Sequence, residues 1–260
     1  MALIARLIIL ASVFVTLARS QTCTKNAINV AQNAFNGFLG LDASITWSNP
    51  VGLALAVQNQ FITKGGTTGL IAVCNAYNLY LKSLSDAGID YKSCLDPAFI
   101  IQNDNDPATG YGYAGIMNMI GYQCGAGLYP ALTRWDCIKN TYSVRNATLL
   151  SCLTNLHLDA GSNATAACSF TKTAILCWQQ QFIQTCNNDN EVSYYACQTI
   201  RSYTAAAYGE CDDRCLIYQA ASFAIDQNKE QLALYDQQSA KAPGSAQILY
   251  EKVKKNYIIM

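Results

Sequence analysis

The side chains able to do chemistry in this sequence are twelve cysteines, a single histidine and a thin scatter of carboxylates. His157 sits in Leu156-His157-Leu158-Asp159. A nucleophilic triad built on it would call for a serine on a Gly-x-Ser-x-Gly elbow, and the sequence contains none. A secreted phospholipase would need a His-Asp pair beside a cysteine-rich helix and a Gly-rich calcium loop, and the spacing of His157 and Asp159 is wrong for it. A histidine close to a helix C-terminus more simply serves the exposed carbonyl end of the helix. The glutamates (Glu191, Glu210, Glu230, Glu251) form no pair in a context that suggests glycoside hydrolysis. Asp104-Asn105-Asp106 begins like a calcium loop. The fifth, sixth and twelfth loop positions, however, are Ala108, Thr109 and Gly115 where a ligand, a glycine and a glutamate are required. Lys64-Gly-Gly-Thr-Thr-Gly69 has the glycines of a phosphate cradle without its Gly-Lys-Ser/Thr ending, and reads as a connection between helices. The expectation is therefore a protein that is not an enzyme, with no metal site and no cofactor.

The cysteines carry the stronger signal. Cys23, Cys74, Cys94, Cys124, Cys137, Cys152, Cys168, Cys177, Cys186, Cys197, Cys211 and Cys215 are even in number and include no C-x-x-C. A zinc site would need clustered thiolates or histidines that this chain lacks. Six disulfides in an oxidising compartment are predicted, with the pairing left open. Residues 1–20 read as a secretory signal peptide: Arg6, an apolar run from Leu7 to Leu17, then Ala18-Arg19-Ser20. The sequons Asn146-Ala-Thr148 and Asn163-Ala-Thr165 fit that route and mark Asn146 and Asn163 as glycosylation candidates. The predicted location is secreted and extracellular, with no membrane span. Only 13% of residues are charged. Without Arg6 and Arg19 the chain has 15 basic and 17 acidic side chains, a net charge near −2. That argues against nucleic acid and anionic lipid as partners, which need a basic face.

The elements that carry these residues read as helices. Asn49-Pro50 starts a run in which Leu53, Val57 and Phe61 share a face before Gly65-Gly66. Thr67-Thr68 starts the next, with Val73, Tyr77, Tyr80 and Leu84 on one face before Gly88. Further helices are predicted from Pro130 through Trp135, from Asn146 or Thr148 through Leu156, from Asn163 to about Cys186, and from Asn190 to Tyr208 before Gly209. The fold class is all-α: a disulfide-stapled helical bundle with an irregular Gly/Tyr/Asp-rich loop over 103–127, read as a surface excursion. Tyr111, Tyr113, Tyr122 and Tyr129 in or beside that loop are expected to form a recognition surface. Cys168, Cys177 and Cys186 are nine residues apart. Nine residues turn a helix by about two and a half turns, so the middle one faces opposite to the others. A continuous helix over 163–186 must then be bridged to partners on both sides, which makes it central. Cys211 and Cys215 at i and i+4 are expected to share a face and reach two sites. The organisation read from cysteine density is a signal peptide (1–20), a helical lead-in (21–73), a cysteine-rich helical core (74–215) and a helical C-terminal arm (216–260).

The ladder Trp135-Asp136-Cys137, Cys168-x8-Cys177-Trp178, Tyr195-Ala196-Cys197 and Cys211-x3-Cys215 resembles secreted cysteine-rich modules expanded in nematodes. These include modules of unknown function and those of chondroitin-proteoglycan type. The resemblance covers about 74–215. It implies a non-enzymatic role in an extracellular matrix or eggshell-like coat, with other extracellular proteins as partners. The sequence has no Ser-Gly pair, so it departs from the usual chondroitin acceptor. The second reading is a carrier of small apolar ligands. Insect odorant-binding proteins also use C-x3-C and C-x8-C spacings, here in reversed order. A carrier requires an enclosed apolar cavity of about 300 Å³ or more.

Overall fold

The computed structural model describes residues 21–215; the predicted signal peptide and C-terminal arm lie outside them. Among the described residues there are eleven α-helices, one 3-10 turn and no strand. The helices are α1 (Lys25–Leu39), α2 (Pro50–Thr63), α3 (Thr68–Asp86), α4 (Tyr91–Cys94), α5 (Pro97–Asp104), α6 (Pro107–Cys124), α7 (Leu128–Thr133), α8 (Trp135–Val144), α9 (Asn146–Ser162), α10 (Ala167–Thr185) and α11 (Asn190–Tyr208). The 3-10 turn, Ala164–Ala166, leads into α10. An isolated bridge between Gln21 and Ile89 holds the start of this region beside the α3–α4 connection. The all-α, disulfide-stapled expectation is met.

Local chemistry explains most boundaries. Thr24, Asn49, Asp90, Asp96, Asp106 and Asp189 each accept backbone N–H bonds from the first turn of the helix they precede. Those amides have no partner inside the helix, so a short polar side chain just before it is stabilising. Pro50, Pro97 and Pro107 then occupy first positions, where a missing N–H costs nothing. Two boundaries differ from expectation. Pro130 lies inside α7, and the chain breaks at Arg134 so that Trp135 opens a separate helix. The helix begun at Asn146 runs on to Ser162 rather than stopping near Leu156.

The larger correction concerns 103–127. Most of it is α6, eighteen residues long and the most buried element of the fold, not a surface loop. Its four glycines disfavour a helix when read alone, at about 0.5–1 kcal/mol each. The structure shows what offsets that cost: the glycines are where neighbours touch. A Cβ on Gly110 would lie 2.5 Å from Ile101 Cγ1, one on Gly115 2.7 Å from the Tyr203 ring, and one on Gly121 2.8 Å from the Tyr77 hydroxyl. Helices α1, α3, α6, α11, α10 and α9 pack one on the next in that order, with α6 in the middle. The 163–186 helix is thus the hub of its own half, and the centre of the whole bundle is α6.

The bridges pair Cys23–Cys94, Cys74–Cys124, Cys137–Cys186, Cys152–Cys177, Cys168–Cys211 and Cys197–Cys215, leaving no free cysteine. As the nine-residue phase requires, α10 is bridged on opposite sides: Cys177 to α9, Cys168 to the chain after α11, and Cys186 at its end to α8. Cys211 and Cys215 do reach two sites, but they lie in non-helical chain beyond α11 rather than on one helical face. The pairing also divides the fold. Two bridges lie entirely within 23–124 and four entirely within 137–215, so none crosses between these halves. The first half includes the predicted lead-in, whose Ile28, Phe35 and Leu53 belong to the same buried cluster as the rest.

Candidate functional site

What joins the halves is a non-covalent seam. Phe61 of α2 packs edge-on against Trp135 (5.4 Å between ring centres) and lies tilted against Tyr142 (5.3 Å), both on α8. Tyr142 continues to Trp178 (6.4 Å) and Phe182 (5.3 Å) on α10. Edge-to-face pairs of this kind set the partly positive rim of one ring on the negative face of the next. Polar bonds cross the same seam. Trp135 Nε1 donates to the Gly66 carbonyl (2.6 Å) and Lys139 Nζ to the Lys64 carbonyl (2.6 Å). The glycine-rich 64–69 connection therefore docks α8 through its backbone carbonyls. Gln58 Nε2 donates to the Tyr142 carbonyl (3.1 Å), and Gln123 Nε2 donates to the Tyr142 hydroxyl (2.8 Å).

A cleft of about 30 Å³ opens along this seam between α2 and α9, floored by Met119, Tyr142 and Trp178. Its walls are Ala54 and Leu55 on one side and Leu149, Leu150 and Leu153 on the other. No lining residue is charged. Two of the lining residues each carry a polar atom that is buried without a hydrogen-bond partner, Gln123 Oε1 and Trp178 Nε1. The Tyr195 hydroxyl, set against Tyr142 and Gln123, likewise has no bond of good geometry. Burial pushes the Tyr195 hydroxyl up to about 12 and holds the Tyr142 hydroxyl well above the ordinary phenol range. These groups stay neutral and act as hydrogen-bonding groups only.

The residues singled out in the sequence are dispersed. His157, on α9, is hydrogen-bonded through Nε2 to the Tyr203 hydroxyl and packs edge-on to that ring. Burial lowers its pKa, so the imidazole is held neutral as a packing and hydrogen-bonding group. Asp106 is the cap of α6 and Asn105 the left-handed cap of α5, which accounts for the acidic run as a turn between helices. Glu191 and Asp189 pair with Arg134 at the surface; Glu230 and Glu251 lie outside the described residues. Cys168, Glu210 and Cys211 bring donor-type atoms together, but the two sulfurs are bonded to each other and offer no thiolate. Asn163 is exposed, and its side-chain oxygen accepts from the Thr165 hydroxyl (2.7 Å). Asn146 is half-buried as the first residue of α9.

The tyrosine cluster needs correction. Tyr113 is fully buried and donates to Gln32 Oε1 (2.8 Å), and Tyr122 packs inward against Tyr195. Tyr129 is 77% exposed and Tyr111 sits at the edge of exposure. Once 107–124 is a buried helix, alternate tyrosines must face the core, so the expected surface reduces to Tyr129 with a contribution from Tyr111. The seam itself was missed, because the pairing that defines it cannot be read from spacing. Its sequence trace is the cysteine-free stretch between Cys124 and Cys137, together with the aromatic residues Trp135, Tyr142, Trp178 and Phe182. Among the described residues no helix is long and apolar enough to cross a membrane. Compared with protein-family models, curated proteins and solved structures, the chain matches none.

Proposed function

We propose that the protein is secreted and acts outside the cell without enzymatic activity, as a structural or interaction component of an extracellular matrix or eggshell-like coat. The carrying observation is that twelve cysteines close into six bridges around an interior whose seam cleft has a volume of only about 30 Å³. Enclosed cargo needs about 300 Å³ or more, roughly tenfold beyond that. A bundle closed in this way works through its outer face. That face carries large apolar side chains, among them Val30, Phe38 and Tyr129. The likeness of the cysteine ladder to nematode matrix modules and the exposed sequon at Asn163 support the same reading.

Displacement of a fluorescent lipid from the purified, oxidised protein tests it. The expected result is no saturable displacement at micromolar protein, together with capture of extracellular matrix proteins from native extracts. Saturable micromolar displacement would return the carrier reading to first place. Hydrolysis of a matrix polysaccharide or ester by the protein, abolished by substitution of a residue in it, would overturn the non-enzymatic one.

A further inference from the structure

The six bridges make each half of the fold a covalent unit of its own. Cys23–Cys94 and Cys74–Cys124 interlock, since Cys74 lies inside the first loop and Cys124 outside it. In the second half Cys152–Cys177 nests within Cys137–Cys186, and Cys168–Cys211 overlaps both Cys137–Cys186 and Cys197–Cys215. Each half therefore keeps its own restraints when the seam between them opens, and no free cysteine is present to reshuffle the pairing. The chain crosses from one half to the other once, after Cys124, and the crossing begins with Gly125, Ala126 and Gly127. We propose that the seam is an exchange surface whose partner is a second copy of this chain. The second half of one copy seats on the first half of the other, and reciprocally, with 125–127 as the hinge.

The faces that meet at the seam are ones water disfavours. Gly115 of α6 sits against Tyr203 of α11, Tyr122 packs on Tyr195 (6.1 Å between ring centres), and Phe61 packs on Trp135. Phe61, Trp135, Tyr195 and Tyr203 are all buried. An opened chain exposes them and must either reclose or find the same faces elsewhere. A second copy supplies those faces with every seam contact unchanged, which is the low-cost route to a dimer by exchange of identical parts. The hinge decides between the two outcomes. A closed chain holds its own second half at an effective concentration of about millimolar, which favours the monomer in dilute solution. The closed turn is tight. The N–H groups of Gly125 and Gly127 both donate to the Tyr122 carbonyl (3.1 and 2.8 Å), which curls the chain back onto the end of α6. A Cβ on Gly127 would lie 2.8 Å from the Tyr122 ring and 3.0 Å from its carbonyl oxygen, and one on Gly125 3.0 Å from the Gly121 carbonyl oxygen. A chain that crosses to another copy does not need that turn, so a side chain at 125 or 127 penalises the closed form alone. The exchange names a partner beyond the contact role proposed above, and it rests on the bridge pairing rather than on that reading.

The test uses the full, oxidised chain. Wild type and Gly127→Ala are held at about 1 mM in denaturant at the onset of unfolding, returned to buffer, and weighed by size-exclusion chromatography with light scattering. The expected result is a slowly dissociating dimer, formed by Gly127→Ala at a protein concentration about tenfold or more below that needed by wild type, as a clash relieved at both hinges implies. Should Gly127→Ala not fold, Gly125→Ala takes its place. Lys64→Cys and Lys139→Cys, introduced together, tell exchange from side-by-side pairing. Lys139 Nζ reaches the Lys64 carbonyl (2.6 Å), so a short bis-maleimide can join the two positions across the seam. In an exchanged dimer that link joins two chains on a denaturing, non-reducing gel; in a side-by-side dimer it stays within each chain. Linked before incubation, the monomer is expected not to dimerise. The proposal is overturned if wild type and variant both stay monomeric, if the link in the dimer lies within single chains, or if the glycine variant dimerises no more readily than wild type. Lipid displacement and capture of matrix proteins are read on the untreated monomer, so failure here and failure of the proposed function give different results.

Discussion

If the glycines of α6 are the points where neighbouring helices touch it, the same chemical change should have opposite effects at Gly115 and at Gly37. Both lie in helices, and glycine to alanine in a helix is worth up to about 1 kcal/mol of stabilisation from backbone entropy. At Gly37 a new Cβ meets nothing within 4 Å, so Gly37→Ala is expected to stabilise by a few tenths to about 1 kcal/mol. At Gly115 the Cβ would lie 2.7 Å from Tyr203 Cδ2 and 2.9 Å from the Tyr203 backbone carbonyl oxygen. A ring could rotate away, but a carbonyl inside α11 moves only if the helix moves. Separating α6 from α11 by about half an ångström weakens every dispersion contact between them by up to about a quarter. Overpacking of this kind costs about 1–3 kcal/mol. Set against the helix gain, Gly115→Ala is expected to be less stable than wild type by about 1–2 kcal/mol. Denaturant unfolding with the bridges oxidised, followed by circular dichroism and by tryptophan fluorescence, measures both variants. A Gly115→Ala protein as stable as wild type, or a destabilised Gly37→Ala protein, would refute the account of α6.

Three further outcomes follow from the same structure. A protease site placed in the 125–127 connection and cut in the folded, oxidised protein should give two pieces that separate on a denaturing, non-reducing gel, because no bridge spans the cut; one band that resolves only after reduction would contradict the pairing. Burial lowers the His157 pKa, so below the ordinary histidine value of about 6.5 the unfolded chain binds protons that the folded chain resists. The stability held by neutral His157 is complete above that value and is lost as pH falls through the folded one; His157→Gln should lose less stability than wild type between about pH 8 and pH 5, and equal losses would place the imidazole in solvent. Burial pushes the Tyr77 and Tyr195 hydroxyls up to about 12. From the unfolded value near 10 upward, stability should therefore fall until about 12, with the tyrosinate absorbance of these two groups rising together with unfolding.

The parts legible in the sequence were those whose causes are local. Asn49-Pro50 and Gly209 mark ends with a cap and a breaker, and α2 and α11 lie where those residues place them; α3 begins at Thr68 as expected, although Thr67 makes no side-chain cap bond. The cysteine phase of 163–186 fixed the two-sided bridging of α10 because helical rotation is a property of that segment alone. Helix α6 failed as a local reading for the opposite reason. Gly110, Gly115 and Gly121 are unfavourable within the helix and become favourable only against Ile101, Tyr203 and Tyr77, two of which are more than 40 residues distant in sequence. The cleft was illegible on the same ground, since Met119, Tyr142 and Trp178 come to line one space only after α6, α8 and α10 are placed.

The bridge pattern bears on why these long-range contacts matter. A disulfide stabilises mainly by limiting the unfolded chain, roughly 3 kcal/mol for a short loop and more for a long one. Loops of 71 and 50 residues tie the first half, and loops of 49, 43, 25 and 18 tie the second. All of that restraint acts within halves. Their mutual orientation rests on Phe61 against Trp135 and Tyr142, on a few hydrogen bonds to backbone carbonyls, and on Gly115 beneath Tyr203. Contacts of that kind loosen cooperatively while the bridges stay closed, so the seam is the element least protected by oxidation. It is also where the unpaired groups and the cleft lie.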